Sequence, residues 1–233
     1  MRKRFQTPWS SISDMMSALM MVFMFISVSY AFQISKQTKA LEDQTEKVSE
    51  ITKAYEDNHR RIYEELMTRF GPKLQDWKAE IDKETLTFRF NDPALLFEAG
   101  SAELTSTFSD ILSEFWPAYV ALAIKNSKDI REVKIEGHTS SEWASASLDE
   151  SYFNNMELSQ ERTRATLEFC YSVTPLSARG WVRNLVTANG MSFSRPILDD
   201  SGNEARENSR RVEFTIIVDS SSTLDQIMRE IND

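Results

Sequence analysis

Residues 15–26 read Met-Met-Ser-Ala-Leu-Met-Met-Val-Phe-Met-Phe-Ile, and this run lies inside an uncharged segment that extends from Met15 to Ser35. An α-helix rises about 1.5 Å per residue, so roughly 20 apolar residues are enough to cross the hydrocarbon core of a bilayer. The run therefore predicts one membrane-spanning helix over residues 12–33. This helix would divide the chain of 233 residues into a short N-terminal part and a large polar part.

The charges that flank the predicted span indicate its orientation. Arg2, Lys3 and Arg4 precede it, and the positive-inside rule then places residues 1–11 in the cytoplasm. The 24 basic and 35 acidic residues beyond Ser35 give that part a net charge of −11, and we expect it on the opposite side of the membrane. A cleaved signal peptide is the alternative, but Asp14 would interrupt the start of its apolar region, which favours a retained anchor.

The composition excludes several classes of function. An excess of 36 acidic over 27 basic residues disfavours direct nucleic-acid binding, which depends on phosphate neutralisation by Lys and Arg. A single cysteine cannot form an intrachain disulfide or a thiolate zinc cluster, and two histidines offer few ligands for a metal. We therefore expect neither a metal site nor a bound cofactor.

Asp14 has two interpretations from the residues alone. A carboxylate within a span costs roughly 2.5 to 3.5 kcal/mol and is a functional candidate by default, and a low-dielectric surrounding favours its neutral form, as proton carriage requires. Ser10, Ser17 and Met21 share its helix face, so they could line a path between helices. Alternatively, Asp14 is the N-cap of a helix that starts at Met15, at the level of the headgroups.

A helical stalk is predicted over residues 34–72. Between Gln33 and Phe70 the chain lacks Gly and Pro and is rich in helix-forming residues. Apolar or aromatic residues recur there at every seventh position: Ile34, Leu41, Val48, Tyr55 and Ile62. The companion column is polar apart from Ile51, so the pattern predicts a weak or partial dimeric coiled coil, or a single long helix that leans on another element. Gly71-Pro72 is expected to end the helix.

Residues 80–220 alternate strand and helix patterns, and residues 221–233 are expected to form a C-terminal tail. Apolar residues alternate with polar ones in two segments, most clearly in the second: Leu86, Phe88 and Phe90, and Val212, Phe214, Ile216 and Val218. Val133 and Ile135 indicate another strand, while Ser101 and Ser159 are candidate N-caps of two helices, the second ending near Cys170. The alternation predicts a two-layer α+β domain with at least one parallel strand pair.

Two groups of residues could carry chemistry in this domain. His138 lies in Gly137-His138-Thr139-Ser140-Ser141, which suggests a serine hydrolase, but no oxyanion hole is evident and a structural His at a strand end is favoured. Arg162, Arg210 and Arg211 are more informative, because guanidinium groups bind carboxylates through two parallel hydrogen bonds. These arginines predict either an anion site at the sheet edge or ordinary surface ion pairs.

Four motifs resemble those of OmpA-like peptidoglycan-binding domains, in the same order and over about 135 residues. They are Leu-Phe-Glu-Ala-Gly-Ser-Ala-Glu-Leu at 96–104, Gly-His-Thr at 137–139, Asn-Met-Glu-Leu-Ser-Gln-Glu-Arg at 155–162 and Arg-Arg-Val-Glu at 210–213. The resemblance implies a βαβαββ two-layer fold that grips the diaminopimelate part of the cell-wall peptide. It also implies a ligand site formed by Thr139, Ser140, Arg162, Arg210 and Arg211. The family usually has Asp at the position of Ser140, where it holds the ammonium group of the ligand, so the ligand site is expected to be altered or weaker.

The N-terminal segment carries a second resemblance. Ser-Asp-Met-Met-Ser-Ala-Leu-Met-Met at 13–21 is similar to the Asp-bearing transmembrane helix of MotB-type stator subunits, and the order of span, stalk and OmpA-like domain is theirs. The compact length most resembles the MotB-like subunits of Zorya anti-phage defence systems.

This second resemblance implies a function without enzymatic activity. Two copies of the chain would pair inside a ring of MotA-like (ZorA-like) subunits in the bacterial inner membrane, with the C-terminal domain in the periplasm and bound to peptidoglycan. Asp14 would carry protons, with sodium as the alternative ion, and rotation of the ring would signal to cytoplasmic effectors. The rivals are a flagellar MotB stator subunit and a passive envelope tether.

Overall fold

The computed structural model describes residues 9–98 and 100–219, with side chains from residue 12 onward. The expected cytoplasmic segment therefore lies mostly outside the described residues, as do the side chain of Ser10 and the expected tail at 221–233. The chain divides into two compact units, Met1–Thr52 and Lys53–Asp233.

The first unit is formed by the long helix α1 (Trp9–Phe70), which continues into the second unit. Among the described residues, α1 is the one helix long and apolar enough to cross a membrane, and none of its apolar window is buried inside the protein. The large apolar side chains between Met15 and Phe32 are all exposed, as a lipid-facing helix requires. Ile34, Leu41 and Val48 of the heptad column are exposed as well.

The second unit contains the end of α1, a 3₁₀ turn and ten further elements. In chain order the structure has the 3₁₀ turn (Gly71–Lys73), β1 (Ala79–Asp82), β2 (Thr87–Phe90), α2 (Pro93–Leu96), α3 (Ser106–Lys125), β3 (Ile130–His138), α4 (Leu148–Ser172), α5 (Arg179–Leu185), β4 (Val186–Gly190), α6 (Arg206–Ser209) and β5 (Arg211–Val218). Helix α1 ends at Phe70, so the stop signal at Gly71-Pro72 is confirmed.

The strands form one mixed sheet in the order β1-β2-β5-β3-β4. Strands β3 and β4 are parallel, with Val133 opposite Val186, and the other three pairs are antiparallel. Apart from the edge strand β1 and the short helices, the succession β2-α3-β3-α4-β4-β5 is the expected βαβαββ pattern. The predicted α+β class is confirmed.

Aromatic residues of α3 pack against the alternating apolar residues of β2 and β5. The ring centroid of Phe115 lies 4.6 Å from that of Phe88 and 5.1 Å from that of Phe214. Trp116 is fully buried, and its indole Nε1 donates a hydrogen bond to Thr174 Oγ1 over 2.8 Å. Close aromatic packing of this kind stabilises a core beyond the area it buries.

The two predicted N-caps, Ser101 and Ser159, are wrong, because each of these hydroxyls accepts a hydrogen bond elsewhere and another residue caps the helix. Helix α3 is capped by Thr105, whose hydroxyl accepts from Phe108 N over 3.0 Å, whereas Ser101 Oγ accepts from Glu103 N within a preceding turn. Helix α4 is capped by Ser147 in a reciprocal capping box with Glu150. Ser159 lies in the interior of α4, where its hydroxyl accepts from Ser192 N over 3.0 Å.

The end of the stalk helix belongs to the core of the second unit. Ile62, Leu66 and Phe70 are buried, and the ring of Phe70 lies 5.6 Å from that of Phe88. The fifth residue of the heptad column therefore packs against the core of its own chain. This part of α1 matches the expected single helix that leans on another element.

Ile62→Ala is expected to lower the free energy of unfolding by about 2 to 5 kcal/mol, because it leaves a cavity in a closely packed core. Glu64→Ala, on an exposed position of the same helix, should change it by no more than about 0.5 kcal/mol. Urea unfolding of the detergent-solubilised full chain, followed by tryptophan fluorescence, measures both values. Equal stability of the two variants would show that the end of α1 does not contribute to the core.

Candidate ligand-binding cleft

A cleft of about 470 Å³ opens where β3 ends and β5 begins. Its walls come from α2, the turn that follows α2, helix α4, helix α6 and the strand ends. The lining residues are Pro93, Ala94, Leu96, Phe97, Glu98, Gly100, Gly137, His138, Arg162, Glu207, Arg210, Arg211 and Val212. All four sequence motifs that resemble OmpA-like domains thus contribute to one concave surface, the motif at 155–162 through Arg162.

The turn between Phe97 and Leu104 forms one lip of the cleft. Phe97 and Leu104 pair as an isolated antiparallel bridge, and Glu98 N donates to Glu103 O over 3.1 Å. Gly100 has a φ of +68°, a left-handed conformation that favours glycine. The motif therefore specifies a tight turn, with Ala99 outside the described residues.

Arg162 projects from α4 onto this lip. Its Nε donates to Ser101 O over 2.8 Å, and its guanidinium carbon lies 4.8 Å from the centroid of the Phe97 ring. Burial, with a smaller contribution from the charge of Arg210, lowers the pKa of Arg162 to about 10. The side chain is therefore still cationic at neutral pH, and its terminal amino groups donate no hydrogen bond to the described residues.

Helix α4 can carry Arg162 to this position because glycine occupies the strand residues beneath it. A Cβ atom at Gly190 would lie 2.4 Å from the backbone N of Gln160, and one at Gly137 would lie 2.7 Å from Thr163 Cγ2. Any side chain at these positions would push α4 away from the sheet. The Gly of the Gly-His-Thr motif therefore has a packing role.

Arg210 is the second cation of the cleft. It pairs with Glu207 of helix α6, and its Nε is buried without a hydrogen-bond partner among the described residues. Two guanidinium groups close enough to influence each other, with donors still available, form a site for an anion such as a carboxylate.

Arg211, the third predicted arginine, lines the cleft but uses its donors inside the protein. Its Nε donates to Glu213 Oε1 over 2.6 Å, and its terminal nitrogens donate to the carbonyl oxygens of Ser209 and Arg195 over 3.1 and 3.2 Å. We conclude that Arg211 holds the start of β5 and the adjacent loop in place and has less capacity for a ligand than Arg162.

Glu213 is the centre of a buried ion-pair network behind the cleft. Its Oε1 accepts from Arg211 and, over 2.7 Å, from Arg89 Nε, while His138 Nε2 lies 3.4 Å from its Oε2. Burial by itself raises the pKa of the Glu213 carboxyl, but the contact with His138 and the charge of Arg211 outweigh burial and hold that pKa well below its ordinary value.

The network also explains His138. Potential ligand atoms of Glu136, His138 and Glu213 lie within 4.8 Å of one another, a spacing that could hold a metal ion. Both carboxylates, however, already pair with arginines: Glu136 with Arg195, and Glu213 with Arg89. Neither ring nitrogen of His138 is hydrogen-bonded to a serine hydroxyl among the described residues, so no Ser-His pair for acyl transfer is present there. His138 is a buried structural residue at the end of β3.

Thr139 and Ser140 are buried outside the lining of the cleft. The chain after β3 continues alongside the chain after β4, with Thr139 N donating to Ser192 O over 3.0 Å, and Ser192 Oγ donates to Tyr152 O of α4. Ser192 is thus bonded both to α4 and to the backbone of Thr139. A ligand-binding role for Thr139 and Ser140 remains a prediction that the geometry of the cleft does not explain.

Asp14 lies within α1, five residues after the first described residue of the helix, so it is not the N-cap of a helix that starts at Met15. Asp14, Ser17 and Met21 are exposed on this helix, and Ser17 Oγ donates to Ser13 O over 2.8 Å. Their predicted channel-facing roles depend on neighbouring subunits.

Among the residues that line the cleft, Phe97, Glu98 and Glu207 are not individual candidates from the sequence. The first two lie inside the motif at 96–104 and could have been selected by it. Glu207 lies three residues before Arg210 and gave no comparable signal, because its place in the cleft depends on the short helix α6.

Glu213→Gln is expected to lower the free energy of unfolding at pH 7 by about 3 kcal/mol, because Arg89 and Arg211 lose their buried counter-charge. The pKa of Glu213 is depressed in the folded state, so its contribution is complete above the ordinary carboxyl value of about 4 and is lost as the pH falls below it. The difference from wild type should therefore narrow below pH 4. Urea unfolding between pH 3 and 7, with the exposed Glu168→Gln as control, checks this, and a difference independent of pH would contradict it.

Comparison with known proteins supports the architecture. The chain is 42% identical over 224 residues to the Zorya protein ZorB of Escherichia coli, covering 95% of this chain and 92% of that protein. It is 26% identical over 180 residues to the uncharacterized protein YtxE of Bacillus subtilis, covering 77% of this chain and 62% of that protein. No protein-family model matches the chain.

Among solved structures, a MotB-like protein from Desulfovibrio vulgaris shares the fold, with a TM-score of 0.53, 24% identity, and coverage of 72% of this chain and 99% of that one. The MotB-like and OmpA-like fold expected from the motifs is thus confirmed. Because the similarity to the Escherichia coli protein extends over nearly the whole of both sequences, the chain belongs to the ZorB family of Zorya proteins.

Proposed function

We propose that this protein is the membrane-anchored, peptidoglycan-binding subunit of a stator-type motor in Zorya anti-phage defence. The observation that carries the proposal is the 42% identity to ZorB, which spans both the apolar helix and the domain with the cleft. The proposed role is mechanical rather than enzymatic, and the similarity to ZorB supports it.

Anchoring is assigned to the cleft of the second unit. Arg162 and Arg210 present cationic donors on a partly buried surface, and the peptides of peptidoglycan carry free carboxylates. A guanidinium group binds a carboxylate with two parallel hydrogen bonds, which fixes the orientation of the peptide. A domain fixed to the wall in this way would hold the membrane part still against the torque of a rotating ring.

The membrane part is proposed to act as a homodimer inside a ring of MotA-like (ZorA-like) subunits. The protein would be a single-pass protein of the bacterial inner membrane, with a cytoplasmic N-terminus and a periplasmic C-terminal domain. Exposed apolar residues at heptad spacing on the stalk, Ile34, Leu41 and Val48, support pairing of two copies in the part that precedes the second unit.

Asp14 is proposed to carry the coupling ion. It would accept a proton from the periplasmic side, lose its charge and release a contact with the ring, and would regain its charge on delivering the proton to the cytoplasm. One elementary charge that crosses a potential of 100 mV releases about 2.3 kcal/mol, enough to bias each step. Rotation would signal phage attack to cytoplasmic effectors, without direct contact between this chain and nucleic acid.

A flagellar stator subunit is the related alternative. Identity to ZorB over nearly the whole chain favours defence over motility. Restoration of swimming in a strain that lacks its own stator would favour motility instead.

Arg162→Ala is expected to lower binding to purified peptidoglycan sacculi by at least about tenfold, since it removes a charge-assisted hydrogen-bonding group from the cleft. Co-sedimentation of the detergent-solubilised full chain with sacculi measures the bound fraction. Arg164→Ala is the matched control, because Arg164 lies on the same helix but is exposed and pairs with Glu168. Equal binding by the two variants would refute the anchoring role of the cleft.

Asp14→Asn is expected to reduce phage protection to the level of cells that lack the system, because an amide, unlike a carboxyl group, cannot change its charge by taking up and releasing a proton near neutral pH. Plaque counts and proton flux in cells that express the complete system measure the effect. Asp43→Asn removes a carboxylate farther along the same helix and should keep full protection. Full activity of Asp14→Asn would refute the carrier role, and if protection still required Arg162 the protein would be a passive tether. Flux that depends on sodium would identify sodium as the coupling ion.

A further inference from the structure

A shallow groove of about 700 Å³ lies between the end of α1 and helix α3, within the second unit. None of the residues that line the cleft lines this groove. Ala118, Ala121 and Leu122 form its α3 side. Leu122 is buried, whereas Ala121 is exposed and its methyl group leaves room for a larger apolar side chain above it. The groove can therefore accept an apolar partner.

The rim of the groove carries more positive than negative charge. Arg61, Arg69 and Lys125 border it, against the two acids Glu64 and Glu65. Glu65 is already paired with Lys125, over 2.8 Å between Oε1 and Nζ. Arg69 is exposed and forms no ion pair with any residue in the described part of the chain. The rim therefore offers a free cation to an acidic partner.

The last described residue lies beside one end of the groove. Asp219 follows β5, and its backbone N donates to Asp129 O over 2.7 Å. The carboxylate of Asp129 in turn accepts from Arg61 Nη2 over 2.7 Å, and Arg61 borders the groove. Four extended residues span about 13 Å. The chain that follows Asp219 can therefore reach the groove within residues 220–223.

The sequence of that following segment predicts a short amphipathic helix. Residues 220–233 read Ser-Ser-Ser-Thr-Leu-Asp-Gln-Ile-Met-Arg-Glu-Ile-Asn-Asp and lie outside the described residues. Thr223 with Gln226 three positions later is the pattern of a capping box. The apolar residues then follow at helical spacing, on one face: Leu224, Ile227, Met228 and Ile231.

This predicted helix fits the groove in length and in charge. The eight residues from Leu224 to Ile231 rise about 12 Å, which is also the rise of α1 between Arg61 and Arg69. Residues 224–233 contain three acids and one arginine, a net charge of −2 that complements the cationic rim. Isolated helices this short are marginal in water, so the apolar face needs a surface to pack against.

We propose that residues 223–231 form a helix that packs its apolar face into the groove between α1 and α3 of the same chain. The docked helix covers Ala121, brings an acidic segment to Arg69 and ties the end of β5 to the stalk helix. The proposal does not depend on peptidoglycan binding.

Hydrogen–deuterium exchange of the full chain in detergent, read by mass spectrometry, tests the docking. In the wild type the backbone amides of residues 227–231 are expected to exchange slowly. Ala121→Glu places a charge in the groove and should speed this exchange at least about tenfold, while the amides of α3 and β5 keep their rates. Ser113→Glu is the matched control, since Ser113 is exposed on the same helix and does not line the groove.

Variants in the segment itself probe the same contact from the other side. Ile227→Asp places a charge on the apolar face and should speed the exchange of residues 227–231 at least about tenfold. Gln226→Asp adds the same charge on the opposite face of the predicted helix and should leave the exchange slow. Fast exchange in the wild type, or wild-type protection in Ala121→Glu or Ile227→Asp, would overturn the proposal.

Disulfide cross-linking identifies the occupant of the groove. A chain with both Ala121→Cys and Ile227→Cys is expected to form an internal disulfide on mild oxidation, seen as a monomer of altered mobility on a non-reducing gel. The native Cys170 is buried and does not compete. The pair Ser113→Cys and Ile227→Cys should remain unlinked. A cross-linked dimer would assign the groove to the segment of a second copy, and the absence of any cross-link would remove the contact; either result refutes docking within one chain.

Discussion

The close approach of α4 to the sheet is the constraint on which the cleft depends. At Gly190 the backbone of α4 lies closer to the strand than any side chain would permit, and Gly137 meets Thr163 in a similar way. Because α4 is seated this deeply, Arg162 reaches the turn at Phe97 and Ser101, which is far away in sequence. A larger residue at either glycine would lift the helix, and the cation would lose both the aromatic ring and the carbonyl oxygen that hold it.

The two faces of the sheet have different roles, and β5 joins them. Its apolar residues, such as Phe214, pack against the aromatic side chains of α3. On the other face, the buried carboxylate of Glu213 pairs with Arg89 and Arg211. Buried ion pairs add little net stability compared with apolar packing, but their loss leaves uncompensated charges. The network around Glu213 therefore serves mainly to fix the positions of the side chains that it joins. It keeps Arg211 and His138 in place behind the cleft and leaves Arg162 and Arg210 as the cations that a ligand can reach.

Several features could be predicted from the sequence because they depend on short-range patterns. The membrane helix follows from the uncharged run after Asp14, the end of α1 from Gly71-Pro72, and β5 from strict alternation at residues 212–218. The helix caps were misplaced because Ser101 and Ser159 are residues of the correct type in the wrong context. Ser101 forms a turn, and Ser159 is buried in a helix that is already capped at Ser147. A side chain alone does not reveal which of several nearby hydroxyls will meet an unpaired helix N–H group.

A long apolar helix, a polar helical continuation and an α+β domain, in that order, can be recognised from the residues alone, as can the motifs that bring the arginines to one region. Periodicity and charge are local properties, so they can be recognised without coordinates. The folded contacts decide which arginine keeps donors for a ligand: Arg210 retains an unpartnered Nε beside its pair with Glu207, whereas the neighbouring Arg211 uses its donors inside the protein. They also place Glu98 at the cleft and bury Ser140 outside it. Those outcomes depend on contacts between residues tens of positions apart, which the fold alone brings together.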